Sequence, residues 1–161
     1  MNITGNKLSR RVILQGAGAV ALVGLGNVSF GLPALAAASD KYPEEAFKQK
    51  SDADAIKALY GKTAEASDKI KLDAPEIAEN GAVVPVSVTT TLADVTSISF
   101  LVSDNPNVLI ATYKLPAGTV PAIANRIKMA KTSKVTVLVE AGGKLYKTDK
   151  EVKVTVGGCG G

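Results

Sequence analysis

Apolar and polar residues alternate over most of the second half of the chain, and this period of two predicts β-strands. Residues 83–92 are rich in Val and Thr, with alternate valines on one face, and residues 108–115 form a further strand candidate after a strong turn. Turn signals separate such segments, among them Asn80-Gly81, Asp104-Asn105-Pro106-Asn107 and Ala141-Gly142-Gly143-Lys144. The alternating apolar positions are Ile70 and Leu72; Val84, Val86 and Val88; Ile98, Phe100 and Val102; Ile127 and Met129; Val135, Val137 and Val139; and Val152, Val154 and Val156. About seven short strands with regular turns predict a mainly β, immunoglobulin-like antiparallel β-sandwich, with an open barrel as the alternative.

The region before the strands has a helical pattern instead. Pro43 suits the first turn of a helix, and Ser51 with Asp54 resembles a capping box that begins a second helix. Gly61 suits the end of that helix, because glycine adopts the left-handed conformation without strain. An apolar stripe at helical spacing lies between these signals and consists of Ala55, Ile56, Leu59 and Tyr60. We expect this stripe to pack against the rest of the fold.

The N-terminus has the pattern of an export signal. The pair Arg10-Arg11 precedes an apolar stretch rich in Gly and Ala, and Ala34-Leu35-Ala36 fits a small-x-small cleavage site. Ala36-Ala37-Ala38 offers a second cleavage register. The paired arginines indicate the twin-arginine type, with Ile13 where that motif commonly has Phe. These features predict export to the bacterial periplasm and a mature form without a membrane anchor.

The chain therefore divides into four predicted parts. These are a signal peptide at 1–36 (cleaved as late as 38), a helical segment at 37–61, a β-sandwich at 62–156 and a C-terminal arm at 157–161. About 125 residues remain after cleavage, the size of one ordinary domain. The net charge of +4 includes Lys7, Arg10 and Arg11, so the mature chain carries +1. That small charge and the 4% aromatic content argue against nucleic-acid binding.

The only cysteine of the chain, Cys159, lies in the arm Gly157-Gly158-Cys159-Gly160-Gly161. Four glycines leave such a segment without a preferred conformation, and the thiol has no partner cysteine in the chain. No residue of the arm lowers the pKa of the thiol, and the absence of histidine from the sequence removes the usual general base. Activation must therefore come from another protein, which predicts a carrier rather than an enzyme.

Other residues offer little chemistry. No metal site is expected, since the sequence has no His, one Cys and two Met. Asp52 and Asp54 are better explained by helix capping or solvation than by metal binding. Lys147, Lys150 and Lys153 lie near the arm, where they are able to attract an anion, although a solvated strand face explains each of them better. No residue set fits a phosphate loop or a catalytic constellation.

Four stretches resemble the SoxY family, the sulfur carriers of the bacterial Sox thiosulfate-oxidising system. They are residues 150–161, residues 74–86, Arg126-Ile127-Lys128-Met129-Ala130 and Gly143-Lys144-Leu145-Tyr146. The resemblance implies that Cys159 is the site of covalent substrate attachment and that the surrounding glycines form a swinging arm. It implies no resident cofactor other than sulfur intermediates bound covalently to Cys159.

The same resemblance implies partners. A haem-containing enzyme would conjugate thiosulfate to the cysteine, a hydrolase would release sulfate, and a dehydrogenase would oxidise the remaining sulfane sulfur. The family also works as a heterodimer with SoxZ, a second sandwich protein that lacks a signal peptide. The twin-arginine route exports folded proteins, so the signal predicted here is consistent with export of the two chains together.

Two rival interpretations remain. Ubiquitin-like sulfur carriers also end in Gly-Gly and carry sulfur as a thiocarboxylate, but they require activation in the cytoplasm, which the export signal disfavours. The alternative function is an exported structural β-sandwich that uses Cys159 only for an intermolecular disulfide in a dimer. Loading of thiosulfate on Cys159 separates these interpretations.

Overall fold

Two short helices and nine strands make up residues 42–155, the part of the chain described by the structure, a computed structural model. The helices are α1 (Glu44–Phe47) and α2 (Asp52–Tyr60), and neither is long and apolar enough to cross a membrane. The strands are β1 (Ala64–Ala66), β2 (Ile70–Asp73), β3 (Ile77–Ala78), β4 (Val84–Thr90), β5 (Val95–Val102), β6 (Leu109–Lys114), β7 (Ala122–Ile127), β8 (Ser133–Ala141) and β9 (Lys144–Val154). The chain divides into units Met1–Asp40 and Lys41–Gly161, and all described residues belong to the second. The predicted signal at 1–36 therefore lies outside the described residues.

The strands form two sheets, which confirms the predicted immunoglobulin-like sandwich rather than the open barrel. The larger sheet has the order β1-β9-β8-β5-β6, with β3 also paired to β9, and the smaller has the order β2-β4-β7. The long pairs are antiparallel, whereas β1 and β3 run parallel to β9. These two strands have only three and two residues, so no alternation was available to predict them. The alternation of Val152, Val154 and Val156 predicted only the last part of β9. The strand begins much earlier, at Lys144.

The predicted alternating valines form the core between the two sheets. Val84, Val86 and Val88 of β4 are buried against Phe100 of β5 and Val137 of β8. Complete burial of a side chain of this kind contributes about 1.5–3 kcal/mol, so this interface dominates the stability of the fold. The other buried members are Ile70, Ala74, Ala78, Ile98, Val102, Ile127, Met129, Val135, Val139, Ala141 and Val152.

The helices cover the opposite face of the larger sheet. Leu101, Leu138 and Leu145 project from β5, β8 and β9 into a second apolar cluster, where Ala46 and Ala55 meet them. Successive residues on a strand face opposite sides, so β5 and β8 are buried on both faces and their apolar runs are nearly continuous. The apolar stripe of α2 packs on the fold as predicted.

Helix α2 has the predicted ends and is fixed to the sheet by its last residue. The Ser51 hydroxyl accepts a hydrogen bond from the Asp54 N–H at 3.2 Å, and Gly61 ends the helix with φ 61°. The Tyr60 hydroxyl shares hydrogen bonds with Ser97 Oγ at 3.0 Å and Ser99 Oγ at 2.7 Å. Burial raises the pKa of Tyr60 above its usual range, while these two hydrogen bonds partly offset the rise.

Gly81 allows its own loop to lie close to the loop at Met129 and to the end of β9. Gly81 lies in the turn between β3 and β4, and its carbonyl accepts a hydrogen bond from the Met129 N–H at 2.7 Å. A Cβ atom at Gly81 would overlap the Met129 carbonyl oxygen and lie 2.9 Å from Val154 Cγ1. Both contacts would be shorter than any real contact, so the loops must separate if a side chain is added.

We predict that Gly81→Ala destabilises the protein by about 1–3 kcal/mol, because the added methyl group meets a backbone atom that cannot turn aside. Chemical denaturation measures the loss. Hydrogen exchange should also accelerate at the amides of Lys153 and Thr155, because the clash displaces Val154.

Gly118→Ala is the matched control. A Cβ atom there has no atom within 4 Å, so the only penalty is the backbone strain of an alanine at φ +83°. Equal exchange at the end of β9 in the two variants would contradict the account of the Gly81 contact.

Candidate functional site

The structure describes the base from which the predicted arm leaves the sandwich. Strand β9 ends at Val154, and Thr155 is the last described residue. Cys159 and the arm glycines Gly157, Gly158, Gly160 and Gly161 lie outside the described residues, as does Val156. We call residues 153–155 the arm root.

The β8–β9 hairpin places the arm root at one end of the sandwich. The hairpin turns at Gly142 and Gly143, whose φ values of 55° and 76° fit the two left-handed positions of a tight turn, as predicted. From that turn the strands pair without a break until Ser133 lies opposite Val152. Strand β9 has eleven residues, so it spans about 36 Å and carries the root to the end opposite the hairpin.

Strand β3 holds one side of the arm root. Ile77 lies opposite Lys153, and Ala78 lies opposite Val154, in parallel register. The Lys153 N–H donates a hydrogen bond to the Glu76 carbonyl oxygen at 2.9 Å, and the Thr155 N–H donates one to the Ala78 carbonyl oxygen at 3.0 Å. The pairing thus continues to the last described residue.

The side chain of Thr132 holds the other side. Thr132 Oγ1 accepts a hydrogen bond from the Val154 N–H at 2.9 Å and lies 3.5 Å from the Val154 carbonyl oxygen, to which it donates. Backbone pairing with β8 has already stopped at Ser133, so a hydroxyl group here replaces a backbone partner.

The loop before β8, which contains Thr132, is itself fixed by the turn between β5 and β6. The Asn105 side chain donates to the Lys128 carbonyl oxygen at 2.8 Å and accepts from the Ala130 N–H at 2.9 Å. Ser133 Oγ donates to Asp104 Oδ2 at 3.0 Å and accepts from the Asp104 N–H at 3.0 Å.

An ion pair joins the same loop and turn. Lys131 Nζ lies 3.1 Å from Asp104 Oδ1 and lowers the pKa of that carboxyl group, and the hydrogen bond from Ser133 lowers it further. The predicted strong turn at 104–107 therefore also restrains the loop beside the arm root.

Two exposed apolar side chains precede and follow Gly81 in the chain. Ile77, which lies opposite Lys153, is 58% exposed, and Val83 is 50% exposed. Within residues 42–155, only Tyr42 and Val120 are comparable large apolar side chains with this degree of exposure. Sequence reasoning overlooked Ile77 and Val83, although both lie within a few residues of the Asn80-Gly81 turn that it identified.

The three lysines near the predicted arm do not converge on the arm root. Lys150 donates a hydrogen bond to the Ala74 carbonyl oxygen, so its charge lies at the edge of β2. Lys147 and Lys153 share the other face of β9 but are six residues apart, about 20 Å along the strand. Only Lys153 belongs to the arm root.

Of the two acidic residues at the start of α2, Asp54 takes part in the predicted cap, whereas Asp52 binds a serine directly after β5. Ser51 Oγ donates to Asp54 Oδ2 at 2.7 Å, and Asp52 Oδ2 accepts from Ser103 Oγ at 2.7 Å. In the described part of the chain, no group of His, Cys, Asp and Glu side chains is arranged to hold a metal ion. The described part of the site is thus a hydrogen-bonded support for the thiol-bearing sequence that follows it.

Comparison with solved structures gives a strong match. The sulfur carrier protein SoxY from Chlorobium limicola f thiosulfatophilum is 43% identical, with a TM-score of 0.60, over 65% of this chain and 96% of that chain. Superoxide reductase (neelaredoxin) from Ignicoccus hospitalis is 17% identical, with a TM-score of 0.50, over 57% of this chain and 95% of that chain, and this likeness concerns the fold alone. Comparison with curated proteins gives no significant match.

The family model of the sulfur oxidation protein SoxY matches residues 56–159, from α2 to the cysteine of the arm. This match covers well over half of the chain and includes every element that holds the arm root. The chain belongs to the SoxY family.

Proposed function

We propose that this protein is a covalent sulfur carrier of periplasmic thiosulfate oxidation. The thiol of Cys159 holds thiosulfate-derived intermediates while separate enzymes process them in turn. The protein supplies the attachment site and its presentation, and the enzymes supply the catalytic groups.

The extent of the family match carries this proposal. The match ends at Cys159, so the arm as far as its cysteine belongs to the region that resembles the SoxY family. The SoxY protein of 43% identity is itself described as a sulfur carrier. The contacts at the arm root support the proposal, because a carrier needs a firm base beneath its attachment site.

The chemistry begins with formation of a sulfur–sulfur bond. The Cys159 thiolate and the sulfane sulfur of thiosulfate join to give Cys–S–S–SO₃⁻, and the two electrons released pass to a haem-containing partner. Hydrolysis then cleaves the bond between sulfur and the sulfonate group, which leaves as sulfate, and a persulfide remains on Cys159.

The outer sulfur of the persulfide is then oxidised to a sulfonate. Three water molecules supply the oxygen atoms of a new sulfonate, and six electrons and six protons leave to a dehydrogenase partner and to solvent. A second hydrolysis releases this group as sulfate and restores the thiol. Intermediates of different oxidation state thus remain attached to one residue until both sulfur atoms have left as sulfate.

The partner enzymes must lower the thiol pKa or stabilise the thiolate. A free cysteine has a pKa of about 8.5, so only a few per cent is ionised at neutral pH. The chain has no histidine to act as a base. Each enzyme therefore activates the thiol after the arm has entered its active site.

The proposed function also includes export to the periplasm and assembly with a partner chain. The paired arginines at Arg10 and Arg11 direct a folded protein to the periplasm, where a SoxZ-like partner accompanies it as a heterodimer. The enzymes engage this pair transiently, because a tightly bound enzyme would block the next one.

Cys159→Ser should reduce thiosulfate-dependent cytochrome reduction in periplasmic extract to background, because the attachment atom is lost. The assay adds purified protein to an extract that lacks its own copy. A thiocarboxylate carrier would retain its activity in this variant, so undiminished turnover would contradict the proposal.

The double variant Cys159→Ser/Val120→Cys is the matched control for disulfide formation. Val120 is 76% exposed, so the new thiol is free to form dimers through a disulfide. Dimerisation should return without thiosulfate turnover. Recovery of turnover would favour the structural interpretation.

Deletion of Gly157 and Gly158 should leave stability unchanged yet slow enzymatic turnover by more than about tenfold, because reach shortens by about 7 Å and the thiol no longer meets the reacting groups. Thermal unfolding and the same extract assay measure the two effects. The control, Gly157→Ala/Gly158→Ala, keeps the length of the arm. Normal turnover by the shortened arm would exclude a role for reach.

A further inference from the structure

The arm root extends beyond the point where β9 loses its main partner. Strand β8 pairs with β9 as far as Ser133 opposite Val152, and Lys153, Val154 and Thr155 follow without it. Strand ends without partners fray readily, and opening of this kind costs little free energy. Fraying here would add three residues to the tether of Cys159.

Hydrogen bonds on alternate sides oppose this fraying. The N–H groups of Lys153 and Thr155 point to β3, where backbone carbonyl groups accept them at 2.9 and 3.0 Å. The Val154 N–H points the other way, to Thr132 Oγ1 at 2.9 Å. The Thr132 hydroxyl thus accepts a hydrogen bond from the N–H of the arm root that neither β3 nor β8 pairs.

Thr132 is well placed to resist movement of the root. It directly precedes Ser133, which is buried and bonded to Asp104. It also follows residues 128–130, whose two ends are hydrogen-bonded to the Asn105 side chain. The hydroxyl therefore connects the end of β9 to a loop that is fixed at both ends.

We propose that Thr132 is a positioning residue for Cys159, because it holds the end of β9 and so fixes the point from which the sequence continues to the cysteine. This inference rests on the proposed carrier function. Four residues, 156–159, then span at most about 14 Å, so the reacting group of each partner enzyme lies within about that distance of Thr155. Fraying to residue 153 lengthens the tether to seven residues and lowers the effective concentration of the thiol about twofold, since that concentration falls roughly as the −3/2 power of length.

The test compares Thr132→Val, which keeps the size of the side chain but removes the hydroxyl, with Thr132→Ser, which retains the hydroxyl. Thr119→Val is the control, because Thr119 is an exposed threonine in the connection between β6 and β7. Hydrogen exchange measures the individual amides of the arm root. Exchange at Val154 should accelerate at least tenfold in Thr132→Val, more than at Lys153 or Thr155, and return to the parent value in Thr132→Ser.

A second readout follows the arm itself. Spin labels on Cys159 and on the cysteine of Val120→Cys report the distance from the arm to the exposed connection between β6 and β7. The distance distribution should broaden in Thr132→Val and narrow again in Thr132→Ser. Turnover with the partner enzymes should fall about twofold in Thr132→Val, while the rate of reaction with a small disulfide reagent stays unchanged.

The outcomes separate the two proposals. Unchanged Val154 exchange and an unchanged distance distribution in Thr132→Val would overturn the role of Thr132, whatever the protein carries. Failure of the parent protein to accept thiosulfate would instead overturn the carrier function. Equal effects of Thr119→Val and Thr132→Val would also overturn the positioning role.

Discussion

The pairing of β8 with β9 is the interaction on which the rest of the structure depends. The two strands are in register from Ala141 opposite Lys144 to Ser133 opposite Val152. Strand β8 is buried on both faces, between the smaller sheet and the helices, so β9 is joined to the most protected part of the protein. Through this ladder the chain reaches the end of the sandwich with a fixed position and direction.

This rigidity supports a division of labour between body and arm. Side chains on both faces of the larger sheet stabilise the body, whereas the glycines around Cys159 have no side chain to pack. A carrier requires both properties, because several enzymes must reach one atom and each must find it near the same place. The contacts of β3 and Thr132 with the arm root lie where these two properties meet.

Much of the fold was predictable because the local signals agree with the tertiary structure. The alternating valines of β4 and β8 predict their own burial, and the Ser51 cap and Gly61 predict the ends of α2. The start of β9 was missed because polar residues interrupt its alternation. Thr148 and Lys150 face the same side as Val152 but are only half-buried, and Lys150 bonds at the edge of β2.

The arm remains a prediction from the sequence, whereas the contacts that support the end of β9 could not be predicted from it. Cys159 stands out because it is the single cysteine among glycines. Strand β3 is too short to show a period, and Thr132 resembles any other polar residue before a strand. Its contact with Val154 depends on the path of a loop that the Asn105 side chain fixes from elsewhere in the chain. Sequence periodicity contains no information about such a contact.

If Cys159 carries sulfur, the intact mass of the mature protein reveals the bound intermediates. The protein would be purified from thiosulfate-grown cells and measured with and without reductant. We expect additions of thiosulfonate or sulfane sulfur that reductant removes. A mass that corresponds only to the free thiol or to a plain disulfide dimer, whatever the sulfur source, would contradict the carrier function.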